Sequence, residues 1–331
     1  MISAKKYFSF HPVFFPFLLI VFFSCTQPDS TTQLPAASNK PSSPKPETPL
    51  FNSDSAFEYT KAQVDFGPRA MNSKAHDNCA NYLTSKLRSF ADTVFVQQAQ
   101  VLQSDKKKVS MQNIIASFSP ENPNRILLCT HWDSRNWADQ DSIRKNEPTD
   151  GANDGAAGVG VLLEIARVLQ KTKPAIGVDI FLIDAEDQGA YENESTWCLG
   201  SQYWAKNPHI PGYFASYGIL LDMVGAKDAV FTMESYSMQF AESTVKKVWD
   251  TGCRIGYPEY FSYQQTGPIT DDHFYINTLA HIPCIDIIQH DPATPSKFYK
   301  NWHTHSDKLE FIDKNSLKAV GQTLMEVLFS E

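Results

Sequence analysis

No two of the six cysteines in this 331-residue chain are spaced as CxxC. Once Cys25 is set aside, an odd five remain, which argues against both a disulfide framework and a thiolate zinc site. Cys129 and Cys284 sit within apolar runs and read as core residues. Basic tracts are missing too. "DKKKV" at 105–109 is the only lysine cluster, it reads as a solvated turn, and the net charge is −8, so nucleic acid is excluded as a partner class. No apolar run reaches the length of a membrane span. The nearest is Val13 to Phe23, interrupted by Pro16, which is too short to cross a bilayer.

That run follows Lys5 and Lys6 and matches a secretory signal peptide over residues 1–24. A small residue before Cys25 resembles a bacterial lipoprotein cleavage site. The resemblance implies export, a lipid on Cys25 and a periplasmic protein held at a membrane. An ordinary cleaved signal with an incidental cysteine is the alternative. Losing residues 1–24 removes two lysines and no acids, moving the charge from −8 to −10. Residues 25–50 are rich in Pro, Ser, Thr and Gln with almost nothing to bury, and read as a disordered tether. Residues 51–331 are expected to form one domain, a monomer.

Helical periodicity runs over 53–65 and 73–90, and 93–101 with 110–118 alternate as a hairpin pair. "RILLCTH", "GVDIFLID", "YGILLDMVG" and "IPCIDII" are apolar runs expected to be strands buried on both faces, with "AVFTM" a further candidate. Helices are expected near 156–171, 200–206, 237–251 and 314–330. The alternation predicts a single-domain α/β/α sandwich around a mixed, mostly parallel sheet, with ligands bound beyond the carboxyl ends of its strands.

Acids and histidines cluster near those ends. "THWDS" carries His131 and Asp133, "GANDGAAG" Asp154, "DAEDQG" Asp184, Glu186 and Asp187, "LLDMVG" Asp222, and "KNWHTHSD" His303 and His305. Crowded carboxylates at a buried strand end repel one another unless a cation sits among them. Imidazole with carboxylate suits Zn²⁺. Each cluster has a plainer reading: Asp154 as a helix cap, Asp222 as half of an ion pair, His303 as a loop residue.

In order and spacing, "HWDS…GANDGAAG…DAEDQG…LLDMVG…WH" resembles the zinc aminopeptidase superfamily, and within it the glutaminyl-peptide cyclotransferases. The resemblance implies an aminopeptidase-like fold and one zinc held by Asp154, Asp187 and His303. Asp187 stands where many relatives have Glu. It further implies Glu186 as general acid/base, with Asp222 and Asp271 as a hydrogen-bonded acid pair behind it. Trp302 and Phe298 would wall the substrate pocket, with Trp197 a weaker candidate. Asp286 replaces a His of the animal forms, so that part of the pocket should differ. His131 would be structural or a supporting neighbour of the ligands, and His273 would orient the acid pair or cap a helix. His305 reads as a loop residue and Ser306-Asp307 as a turn toward the last helix. The implied reaction cyclises the N-terminal glutamine of peptides and exported proteins to pyroglutamate, releasing ammonia. A two-zinc aminopeptidase using His131 and Asp222 for a second ion is the rival. A catalytically dead receptor on a lipid anchor is a third reading, but no candidate residue is missing.

Overall fold

In a computed structural model of the protein, the described residues are 47–331. The signal segment 1–24, Cys25 and most of the 25–50 tether lie outside them. The last tether residues belong to the fold. The Thr48 hydroxyl donates to Glu326 at 3.2 Å, and the Pro49 carbonyl accepts from Gln322 at 3.3 Å. Among the described residues no helix is long and apolar enough to cross a membrane.

The chain begins with α1 (Ser53–Val64) and α2 (Lys74–Phe90), each started by a side chain that accepts a hydrogen bond from the first turn. Asn52 takes the Ser55 N–H and Ser73 the His76 N–H, both at 3.1 Å. The hairpin β1 (Thr93–Leu102) and β2 (Lys108–Phe118) pairs antiparallel, followed by β3 (Arg125–His131). A π-helical turn (Ala152–Ala157) leads into α3 (Gly158–Leu169), then β4 (Gly177–Ile183), α4 (Leu199–Lys206) and β5 (Tyr217–Asp222). The rest is β6 (Phe231–Met233), α5 (Ser235–Arg254), β7 (Phe261–Gln265), α6 (Asp272–Leu279), β8 (Cys284–Ile288) and α7 (Lys314–Ser330).

Six strands form one sheet in the order β1-β2-β4-β3-β5-β8. The pairs β4/β3, β3/β5 and β5/β8 are parallel, while β1/β2 and β2/β4 are antiparallel. All seven residues of β3 and of β4 are buried, because successive side chains point to opposite, covered faces. Ile126 and Leu128 pack with residues of α1, α2, α3, α5 and α7, while Leu127 and Cys129 face Trp204 of α4 and Ile276 of α6. This is the expected α/β/α sandwich. "AVFTM" is a strand only in part. Its β6 stands outside the main sheet, pairing with β7, which is short and mostly polar and gave no signal in the sequence. Helix α6, eight residues long, was likewise not anticipated.

Candidate metal centre and pocket

At the end of β4 the three acids of "DAEDQG" separate. Asp184 turns away and meets His76 Nε2 at 2.9 Å, His76 itself stacking on Trp132 at 4.4 Å. Its other oxygen accepts the Gln112 N–H at 2.6 Å. Ala185 then adopts a left-handed conformation (φ 57°), costly for a residue with a Cβ and typical of functional turns. The turn is fixed by Asp133, whose carboxylate accepts the N–H groups of Glu186 and Asp187 at 3.1 and 3.2 Å and the Gln188 amide at 3.0 Å.

Asp154 lies in the π-helical turn after β3. Its own backbone is non-helical, and Gly155 at φ 105° completes the kink. A Cβ on Gly155 would meet the Asp133 carbonyl at 2.7 Å. The helix-cap reading of Asp154 therefore does not apply. Instead the Asp307 carboxylate accepts the N–H groups of Asn153 and Asp154 at 2.9 and 3.0 Å, a longer-range task than the local turn expected of it.

His303, also left-handed (φ 55°), brings its Nε2 to 3.1 Å from Asp187 Oδ1 and 3.6 Å from Asp154 Oδ2. Its Nδ1 is held at 3.1 Å by both Asp139 Oδ1 and the Tyr191 hydroxyl. Trp302 stacks on the imidazole at 3.7 Å. One donor atom each from Asp154, Asp187 and His303 lies within 4.8 Å of the other two. Among the described residues, neither oxygen of the buried Asp187 carboxylate has a hydrogen-bond partner. Four-coordinate zinc with bonds near 2.0–2.2 Å sets neighbouring donors roughly 3.3 Å apart, so these residues fit such an ion. A hydrogen bond to the far nitrogen of His303 is the usual support of a metal-binding imidazole.

A second triad shares Asp154. His131 Nε2 lies 3.2 Å from Asp154 Oδ1 and 3.2 Å from Asp222 Oδ1. His131 thus stands in a ligand-competent position rather than a merely structural one. The expected Asp222–Asp271 hydrogen bond is not formed, because Asp222 turns to His131. Asp271 caps α6 through the Asp272 N–H, leaving its buried Oδ2 without a partner. Asp286 is fully buried beside Asp271 and His273 and does not itself line the cavity, which Asp271 borders. His273 caps nothing; its Nε2 meets Glu234 at 3.1 Å. His305 is a loop residue, its N–H donating to Asp141.

Glu186 sits between the triads, Oε2 at 3.9 Å from His131 Nδ1 and Oε1 at 3.5 Å from the Cys198 thiol. Burial pushes its carboxyl well above the ordinary range, and the charges of Asp187 and Asp271 add to this against the pull of His131. Burial also raises Asp222, to about 7. A cavity of about 290 Å³ opens on Glu186, Asp187 and His303. Tyr191, Trp197, Phe298 and Trp302 wall one side, and Ile269, Thr270 and Asp271 line another. Tyr191, Asp139 and Arg135 gave no sign in the sequence. They occur in polar loops without periodicity, and only their contacts mark them.

Residues 113–328 match the model of peptidase family M28. The chain belongs to that family. It is 49% identical to a Bacteroides thetaiotaomicron glutaminyl cyclase solved with N-acetylhistamine, over 86% of this chain and 100% of that one, with a TM-score of 0.84. A Zn-dependent exopeptidase from Parabacteroides distasonis is 47% identical over the same shares, with a TM-score of 0.85. Among curated proteins, the glutaminyl-peptide cyclotransferase of Gloydius blomhoffii is 26% identical over 65% of this chain. The chain spans 64% of that relative's length.

Proposed function

We propose that this member of family M28 is a glutaminyl-peptide cyclotransferase, converting N-terminal glutamine to pyroglutamate with release of ammonia. The observation that carries the reading is the one-sided support of the cleft. Among the described residues, both triads reach the aromatic-walled cavity through their carboxylates, but of the two imidazoles His303 is the one that lines it and is fixed from behind by Asp139 and Tyr191. The similarity to bacterial glutaminyl cyclases over nearly the whole folded chain supports it. In this reading Asp154, Asp187 and His303 hold one zinc. Bound there, zinc would supply Lewis-acid polarisation of the substrate's γ-carbonyl.

The chain's own residues do the rest. Trp302, Phe298 and Trp197 enclose the glutamine side chain and exclude water, holding the α-amine near its own γ-carbon. Glu186, with its raised proton affinity, takes a proton from the attacking amine. The carbon–nitrogen bond of the amide breaks, and Glu186 returns the proton to the departing ammonia. Asp271 raises the proton affinity of Glu186 through its charge, while Asp222 meets His131 beside it. No external nucleophile enters, so a single ion suffices.

A two-zinc aminopeptidase remains the second reading, favoured by the intact His131–Asp154–Asp222 triad. Purified protein incubated with Gln-Phe dipeptide and weighed by mass spectrometry separates them. Loss of one ammonia is the expected outcome, and release of free phenylalanine overturns the proposal. We further propose that the substrates are exported peptides and proteins and that the protein is a monomer, anchored in the periplasm by lipid on Cys25. The mass of the mature N-terminal peptide tests the anchor.

A further inference from the structure

We infer that Arg135 is the positioning residue that ties the zinc ligands to the aromatic wall of the pocket, so that one guanidinium sets both metal affinity and substrate fit. The inference rests on the ligand set proposed above. Arg135 follows β3 and is almost fully buried, with 3% exposure. Both terminal nitrogens and one face of its planar head are used, while Nε has no hydrogen-bond partner among the described residues. Nη1 donates to the Asp187 main-chain carbonyl at 3.0 Å and lies 3.6 Å from Asp187 Oδ1. Nη2 donates to Asp139 Oδ2 at 2.7 Å, and the other oxygen of Asp139 meets His303 Nδ1. The guanidinium carbon stands 4.5 Å from the centre of the Trp197 ring. Trp197 in turn lies nearly parallel to the His303 imidazole, at 12° and 5.9 Å.

Two ligands from loops more than a hundred residues apart therefore meet at one cation, Asp187 directly and His303 through Asp139. A pocket wall leans on the same group. Fixing ligands before the ion arrives is how supporting residues raise metal affinity. Charge neutralisation alone is the simpler account, and lysine separates the two. Lysine keeps the positive charge but offers neither a planar fork for two acceptors nor a face to stack on Trp197. A cation 3.6 Å from a ligand also repels zinc on charge alone, so weaker binding in Arg135→Lys reflects lost geometry.

The test measures zinc affinity by competition with a chromophoric chelator, and KM and kcat for Gln-Phe at saturating zinc. Arg135→Lys is expected to weaken zinc about 10- to 100-fold, and to raise KM more than it lowers kcat. Arg135→Lys with wild-type zinc affinity and wild-type KM overturns the inference. If that variant does not fold, as judged by thermal unfolding without zinc, Asp139→Asn carries the test, because it cuts the arm to His303 alone. Unchanged zinc affinity there overturns the inference equally. His303→Ala serves as the control. If it keeps zinc, the ligand assignment fails, whereas loss of zinc there beside wild-type behaviour of Arg135→Lys sinks only the role of Arg135.

Discussion

His131 and His303 approach Asp154 from opposite sides, one facing Oδ1 and the other Oδ2, yet their surroundings differ. His303 is held from behind by Asp139 and Tyr191 and stacked on Trp302, and it borders the cavity. His131 has no comparable support. Its Nδ1 is 3.6 Å from Asp133, too far for a hydrogen bond, and it does not line the cavity. Burial works against a charge on His131, but Asp133, Asp154 and Asp222 raise its proton affinity well above the usual range. Two triads of the same residue types thus differ in their surroundings.

Exchange of the two histidines is the most forceful way to break this comparison. His303→Ala should abolish zinc binding and turnover together, while His131→Ala should still bind one zinc per chain, as read by metal analysis. A His131→Ala protein without metal would reverse the assignment. Next in size, Glu186→Gln should lower kcat by about 10³-fold with zinc retained, in line with loss of a general acid/base. Turnover within a few fold of wild type would remove Glu186 from the chemistry. Trp302→Ala strips one face from His303 and one wall from the pocket. A KM increase of roughly tenfold is expected for a lost aromatic contact, and an unchanged KM would take Trp302 off the substrate.

The smallest effect concerns stability. In zinc-free protein the raised Asp222 carboxyl holds a proton in the folded state that the unfolded chain, near 3.8, has already released. Folding stability should therefore fall as pH rises from about 4 to about 7. His303, raised to about 9 by Asp187 and Asp139 despite burial, adds a loss above pH 6.5. Melting temperatures of chelated protein across this range should decline. Zinc, supplying the missing positive charge, should flatten the curve.

Much of this was legible in the sequence, and the limits have physical causes. Strands such as β3 and β4 announce themselves because both faces must be apolar, and Glu186 and Asp187 stand out just beyond the end of β4, while Asp154 and His303 are marked by the short motifs around them. β7 is too short and polar to carry a period. Asp222 illustrates the other kind of gap. Its neighbourhood was readable, but whether it turns to Asp271 or to His131 depends on side-chain rotation that no spacing encodes. Asp286 stands beside Asp271 and His273 rather than on the cavity wall, and a strand buried on both faces gives no sequence sign of that difference.

By itself, the sequence determined the alternation of buried strands and amphipathic helices, and hence which acids and histidines would emerge at one edge of a sheet. Periodicity follows from backbone geometry, which every residue shares. Only the tertiary structure decided which histidine is braced, that Arg135 and Asp139 do the bracing, and that Asp184 is spent on His76. Those choices rest on contacts between loops far apart in the chain. They form only when the sheet brings the loops together, and no local pattern records them.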